Sequence, residues 1–223
     1  FLLGERFSFS PGAVDGETTV TALRLIHEWV ERSQAQVIAL RSTLSWGMDA
    51  LGATDDGTDR DGKFVTWLGQ GQYVRRLGET DNQLILRSTF QWSEDPLLSL
   101  EQLSFGGAHT VRGYRENQFV RDLGVLTSLE FRIPVLFGKA GGRMVQLAPF
   151  VDYGNGWNLS SPKGNPRDLG SAGLGLIFTK VFTPHKNIYG ELYWGDAFRD
   201  FRQSRGDDLQ DQGVHFKVTV TAF

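Results

Sequence analysis

The chain of 223 residues has a net charge of -3 with no basic block, which argues against nucleic acid as a partner, and its lack of cysteine excludes disulfides and thiolate metal sites. Its 27 Gly, 16 Phe and 6 Trp, at a mean hydropathy of -0.27, suit a β-protein that buries one face of each strand. No run nears the roughly 18 apolar residues of a membrane helix, yet barrel strands stay low in mean hydropathy because lipid-facing and lumen-facing residues alternate.

Period-two alternation predicts ten strands, at residues 1–10, 18–31, 35–50, 63–77, 82–93, 121–136, 143–156, 168–183, 187–197 and 213–223. The chain opens on the strand-like FLLGERFSFS with no signal peptide, so residue 1 is expected to be a truncation point. The next segment, TALRLIHEWVERS, places Leu23, Ile26 and Val30 at helical spacing, but its position in a hairpin series predicts a strand. DDGTDRDG, from Asp55 to Gly62, lacks the downstream bidentate Glu of a calcium loop and is expected to be a flexible extracellular loop. In 82–93, Leu84, Leu86, Phe90 and Trp92 alternate with Gln83, Arg87, Thr89 and Gln91. Then comes FGGAHTVRGYRENQFVRDLG, too polar and glycine-rich for a strand, within a long connection of the kind that usually carries function.

After it, Leu123, Val125, Leu129, Phe131 and Ile133 oppose Ser128, Glu130 and Arg132. Further on, Val145, Leu147, Val151 and Tyr153 oppose Gln146, Asp152 and Gly154, and Leu174, Leu176 and Phe178 oppose Ser171, Gly173 and Gly175. Last, Val214, Phe216, Val218 and Val220 oppose His215, Lys217, Thr219 and Thr221. Long connections (50–62, 94–120, 157–167, 197–212) alternate with short ones (31–35, 78–82, 137–142, 183–187). Long loops at one end and short turns at the other describe an all-β, antiparallel transmembrane up-and-down β-barrel. The alternative, a soluble β-sandwich with one wet face, has no reason to sort its loops this way. In a barrel, the polar faces line a lumen holding Arg87, Glu130, Arg132, Asp152 and Glu191. Trp46, Trp92, Tyr153, Trp157 and Trp194 cluster near strand ends as interface girdles do.

Little points to catalysis or cofactors. His27, His109, His185 and His215 lie on separate elements without metal-ligand spacing, GSAGLGL has no P-loop Lys-Ser/Thr, and no Ser-His pair stands out for a lipase. The chain is expected to be no enzyme, with no cofactor and no metal.

The loop and the strands after it resemble the barrel of two-partner secretion transporters (TpsB, the hemolysin-activator and hemagglutinin-exporter family), within the superfamily of barrel-assembly insertases. The residues that carry the likeness are Glu101 and Gln102, Gly106 and Gly107, Val111-Arg112-Gly113-Tyr114 with Glu116, then Asp122 and Gly124. Ser128 to Pro134 (SLEFRIP) and Phe150-Val151-Asp152-Tyr153-Gly154 follow at barrel spacing, with weaker matches at Gly173-Leu174-Gly175, Leu209-Gln210-Asp211 and Phe223. Phe223 departs from the family's terminal signal by falling on the polar parity of its strand.

The resemblance implies a barrel of about sixteen strands preceded by periplasmic POTRA domains. Residues 1–223 are then one outer-membrane β-barrel domain, the C-terminal part of about ten strands, with the POTRA domains and first strands not in this chain. The resemblance further implies that the long loop folds into the lumen, where Arg112 meets Asp152. Asp152 falls on the lumenal parity, and a guanidinium and a carboxylate in a confined site form a bidentate pair that lysine cannot replace. Gly113 is expected to let the loop tip turn, Tyr114 to pack on the wall, and Glu130 and Arg132 to support the pair. The function expected is export of a large, unfolded adhesin-, hemolysin- or toxin-class polypeptide through the outer membrane of a bacterium. The lipid bilayer and, during biogenesis, the barrel-assembly machinery are the other expected partners. An insertase of the same superfamily and a passive porin are the rival readings.

Overall fold

The computed structural model describes residues 18–53, 62–78, 81–138, 143–160, 168–183, 186–199 and 209–222. The expected strand at 1–10, most of the calcium-like stretch, His185 and Phe223 lie outside the described residues. Nine long strands, β1 (Thr21–Arg32), β2 (Gln36–Met48), β3 (Phe64–Leu77), β4 (Asn82–Ser93), β7 (Leu123–Phe137), β8 (Arg143–Trp157), β9 (Asp168–Thr183), β10 (Lys186–Ala197) and β11 (Val214–Ala222), form one antiparallel sheet. Each pairs with its neighbour in the chain, in the order β1-β2-β3-β4-β7-β8-β9-β10-β11. β1 and β11 are the two edges, so the described strands make an open part of a barrel wall.

The segment with helical spacing is a strand. All twelve positions of β1 pair with β2, from Thr21 opposite Met48 to Arg32 opposite Val37. Leu23, Leu25 and Trp29 then point to one face while Ile26 and Val30 fall on the other. The ladder to a neighbour overrides a local pattern that an isolated helix would use.

The two faces of the sheet settle its class. On the outer face Leu25, Leu174 and Val218 are 63%, 47% and 67% exposed, and among the described residues no second large sheet covers them. A sandwich would bury that face. A barrel wall offers it to lipid and turns its polar parity inward. On the inner face, the cross-strand register sets Ser128 opposite Asp152 and Asp152 opposite Ser171.

The long connection between β4 and β7 is more structured than the sequence predicts. It contains two short strands, β5 (Leu103–Phe105) and β6 (Phe119–Arg121), paired antiparallel as a small hairpin of their own. Arg121, expected at the start of the next wall strand, belongs to this hairpin instead. The buried apolar residues gather where the loop meets the inner face: Phe105, Val111 and Tyr114 from the loop with Leu126 and Leu169 from the wall. Beside them lies a second cluster of Ala148, Phe150, Ile177 and Tyr193.

Candidate functional site at the docked loop

The loop seats on glycine. A Cβ at Gly124 would lie 2.5 Å from the Phe105 ring, and one at Gly156 would lie 2.6 Å from it. At Gly154 a Cβ would meet Phe105 at 2.9 Å and Val111 at 3.1 Å. These strand glycines leave room for the loop's hydrophobic side chains, and Phe105 stacks on Phe119 at 5.0 Å to hold the hairpin. Within the loop, Glu116 accepts from the Ala108 amide at 2.7 Å and lies over Gly107, where a Cβ would fall 2.0 Å from its carboxylate. Gly106 and Gly107 have φ of 96° and 111°, a conformation that side-chain-bearing residues rarely adopt.

The tip reaches β10. Gly113 has φ of 93°, and a Cβ there would lie 2.9 Å from the Gly195 carbonyl oxygen. Its amide points at His215 Nε2, 3.4 Å away. Next to it, the Tyr114 hydroxyl donates to the Gly170 carbonyl at 3.0 Å and accepts from the Arg199 amide at 3.3 Å. Burial raises the Tyr114 hydroxyl above the ordinary tyrosine pKa of 10.0. Arg115 forms an ion pair with Asp211 just before β11.

Between these contacts lies the charged centre. Arg112 is 4% exposed, Glu130 1% and Asp152 fully buried. The guanidinium forks onto Asp152, with Nε donating to Oδ2 at 2.8 Å and Nη2 to Oδ1 at 2.8 Å, and the Arg112 amide adds a third bond to Oδ2 at 3.0 Å. Nη1 donates to Glu130 Oε2 at 2.6 Å and Nη2 to Ser128 Oγ at 3.0 Å. The guanidinium carbon of Arg112 lies 3.6 Å from the Phe150 ring centroid and 4.7 Å from that of Tyr193. Glu130 is shared: its Oε1 accepts from Arg132 Nε at 2.6 Å, and its Oε2 also accepts from the Tyr193 hydroxyl at 3.3 Å.

Two arginines thus face two carboxylates, so the cluster is close to neutral and its burial is tolerable. Burial alone would lower the Arg112 pKa, but the hydrogen bonds and charges of Asp152 and Glu130 outweigh it and raise it, so Arg112 stays charged. Such a site is stabilising only while complete. Removing one partner of a buried pair costs about 3–5 kcal/mol, because the other charge is left unpaired.

A second buried carboxylate holds the loop at its base. Asp122 is fully buried and accepts from the Leu97 amide at 3.0 Å, Gln102 Nε2 at 2.7 Å and the Leu159 amide at 2.9 Å. Gln91 of β4 donates to the Asp122 and Glu101 carbonyls at 3.1 and 3.0 Å. The loop stem, the end of β4 and the segment after β8 therefore meet at one residue, Asp122. On the far side of the stem, Arg24 of β1 donates to Glu101 Oε1 at 2.7 Å. A cavity of about 720 Å³, lined by both polar and apolar side chains, separates the loop from β1–β4.

No curated protein sequence matches the chain. The family described as haemolysin secretion/activation protein ShlB/FhaC/HecB matches residues 15–178, about three quarters of the chain. The chain belongs to this family. The family comprises outer-membrane two-partner secretion transporters built on β-barrels. Among solved structures, CdiB from Escherichia coli is similar at TM-score 0.64 and 20% identity over 90% of this chain and 36% of that one. CdiB from Acinetobacter baumannii is similar at 0.60 and 17% identity over 90% of this chain and 32% of that one. At these identities the likeness is one of fold, and this ShlB/FhaC/HecB chain spans about a third of the length of either structure.

In this ShlB/FhaC/HecB chain the residues singled out from sequence converge. Arg112 and Asp152 touch, Glu130 contacts Arg112 directly, and Arg132 reaches the cluster through Glu130. Gly106, Gly107, Val111, Gly113, Tyr114 and Glu116 shape and seat the loop that carries Arg112. Arg87 and Glu191 face the same interior without joining the cluster, and Glu191 accepts from Tyr189. Sequence reasoning did not assign Ser128, Phe150, Tyr193 or Gly195 to the site. Ser128 and Phe150 share the lumenal parity of Glu130 and Asp152 and were within reach of it. Tyr193 and Gly195 required the register of β10 on β9. Among the described residues no group of three or more His, Asp or Glu is placed to hold a metal ion.

Proposed function

We propose that the chain is the C-terminal barrel part of an outer-membrane exporter that passes an unfolded adhesin-, hemolysin- or toxin-class polypeptide to the cell surface. The remaining strands and the periplasmic POTRA domains belong to the rest of the protein, and the client is selected there. The observation that carries this reading is the placement of a long loop against the inner face of a lipid-facing wall, with its tip arginine held by Asp152 and Glu130. Membership of a family of haemolysin secretion/activation proteins supports a polypeptide cargo. In this reading Arg112 and Asp152 fix the loop inside the lumen, and Glu130 with Arg132 supports them. The chain performs no covalent chemistry, its surroundings are the outer-membrane bilayer, and the barrel-assembly machinery inserts it.

Deleting the transporter from its parent bacterium and comparing surface and secreted proteins tests the proposal. Loss of one large polypeptide from the surface, with its retention or degradation in the periplasm, is the expected result. An unchanged surface proteome, with a steady open conductance of the purified full-length protein in planar bilayers, would replace export with passive diffusion. A general loss of outer-membrane barrels would instead indicate an insertase.

A further inference from the structure

The docked loop divides the inner face unevenly. Toward β8–β10 its tip is in van der Waals contact with the wall: a Cβ at Gly113 would already crowd Gly195 and lie 3.3 Å from Ser171 Cβ. Toward β1–β4 lies the cavity of about 720 Å³. Its lining on that side includes Thr43, Thr66, Gln70 and Thr89, with Leu68 among them and two cations, Arg24 and Arg87. Among the described residues Arg87 has no ion-pair partner, so its charge faces the cavity. On this wall Leu68 stands among hydroxyls, amides and cations, so an unfolded chain meets no contiguous apolar patch there to adhere to.

The contacts on the two sides also differ in strength. The Arg112 side chain is 5% exposed, its partner Glu130 1%, and Arg112 makes four side-chain hydrogen bonds, whereas in the Arg24–Glu101 pair Arg24 is 41% and Glu101 12% exposed. An ion pair with one partner open to water is weaker and more easily parted than one with both partners buried. A passage beside the loop can therefore widen at Arg24–Glu101 while the tip keeps its bonds.

Building on the export reading, we infer that the client polypeptide travels through the cavity between the loop and the β1–β4 wall while the loop tip stays docked, and that Arg24–Glu101 is the contact that yields. The loop is then a fixed partition, held at its base by Asp122 and by Gln91 on the Glu101 carbonyl, and the moving parts are the Arg24 and Glu101 side chains.

Two cysteine pairs in the full-length transporter, in native outer membranes with its secreted partner, separate the alternatives. Arg115→Cys with Asp211→Cys ties the tip to the segment before β11, and Arg24→Cys with Glu101→Cys ties the stem to β1. Each pair is closed with a short cleavable thiol cross-linker, so every folded population serves as its own control before closure and after cleavage. The expected result is secretion at the uncross-linked level with the tip tied, and loss of secretion with the stem tied that returns on cleavage. A photoreactive side chain at Thr89 is expected to cross-link to a client stalled in transit. Loss of secretion on tying the tip, no loss on tying the stem, or no client adduct at Thr89 would each overturn the route. If the unmodified transporter secretes no partner, the export reading itself falls and this inference falls with it. Intact secretion that stops only when the tip is tied refutes the route alone.

Discussion

Along β8 to β10 the inner face carries Phe150, Gly154, Ser171, Gly173, Tyr193 and Gly195, whereas along β2 to β4 it carries Thr43, Ser45, Thr66, Gln70, Thr89 and Gln91. Both stretches follow the same period of two and both turn a weakly hydrophobic face inward. They differ in how closely another backbone can approach. Glycine removes the Cβ that would hold the tip off the wall, and the Phe150 and Tyr193 rings, packed edge to face, then flank the arginine that the tip delivers. The β2–β4 face keeps its side chains standing, leaving solvent-accessible space in front of them. One wall of the same sheet is therefore shaped to hold a loop, and the other to remain wet.

The largest test of that contrast removes what the holding wall binds. Arg112→Ala or Asp152→Ala should destabilise the docked loop by about 3–5 kcal/mol, read as a fall in the urea midpoint of the folded barrel and faster proteolysis between residues 94 and 120. Arg112→Lys should resemble the alanine variant more than the parent, because an ammonium cannot make the fork to Asp152 while also bonding Glu130 and Ser128. The double alanine variant should cost much less than the sum of the singles, and strict additivity would mean that the pair does not interact.

Next comes the base of the loop. Asp122→Ala leaves the Leu97 and Leu159 amides and Gln102 without an acceptor, at about 1–3 kcal/mol for each donor that water does not reach. Asp122→Asn keeps one acceptor oxygen and should fall between. Limited proteolysis checks this, with cleavage expected both in the stem and after β8. A change confined to the tip would separate the two anchors.

Gly195→Ala should push the tip from its seat, since the added Cβ would lie 2.8 Å from the Gly113 amide nitrogen; overpacking of this kind costs about 1–3 kcal/mol. Lower cross-linking between cysteines at positions 112 and 152 in this background would report the displacement. On the wet wall, Thr89→Val should change stability by no more than about 0.5 kcal/mol. A larger loss there would mean that the β4 face also bears load.

The smallest effect is that of pH. Burial raises the Tyr114 pKa above 10.0, so the folded state holds this proton more tightly than the unfolded chain. Its contribution is complete below the unfolded value and is lost as pH rises through the folded one. Loop protection from protease should therefore be level from neutral pH to about 10 and weaken beyond it. Tyr114→Phe should remove that alkaline step, at about 1 kcal/mol for the lost hydroxyl bonds.

Much of this was legible in the residues. Alternation assigned Glu130, Arg132 and Asp152 to the lumen correctly, because side-chain direction in a strand depends only on parity. The ordering of long and short connections identified a meander, and the outward exposure of Leu25 and Val218 agrees with it. The β5–β6 hairpin was not legible: Leu103–Phe105 and Phe119–Arg121 are shorter than any window in which a period can be read. The helical spacing in β1 misleads for the opposite reason, since Ile26 and Val30 fall on the inner face while Leu23 points outward.

The sequence by itself determined the nine long strands, their two faces and the residue types able to form a buried charged pair, since these follow from local geometry and chemistry. Only the tertiary structure decided that Glu130 binds Arg112 directly, that Phe150 and Tyr193 enclose it, and that Gly195 receives the tip. Those contacts join positions 18 to 83 residues apart, and their meeting depends on the register of four strands and on where glycine lets a loop approach the wall.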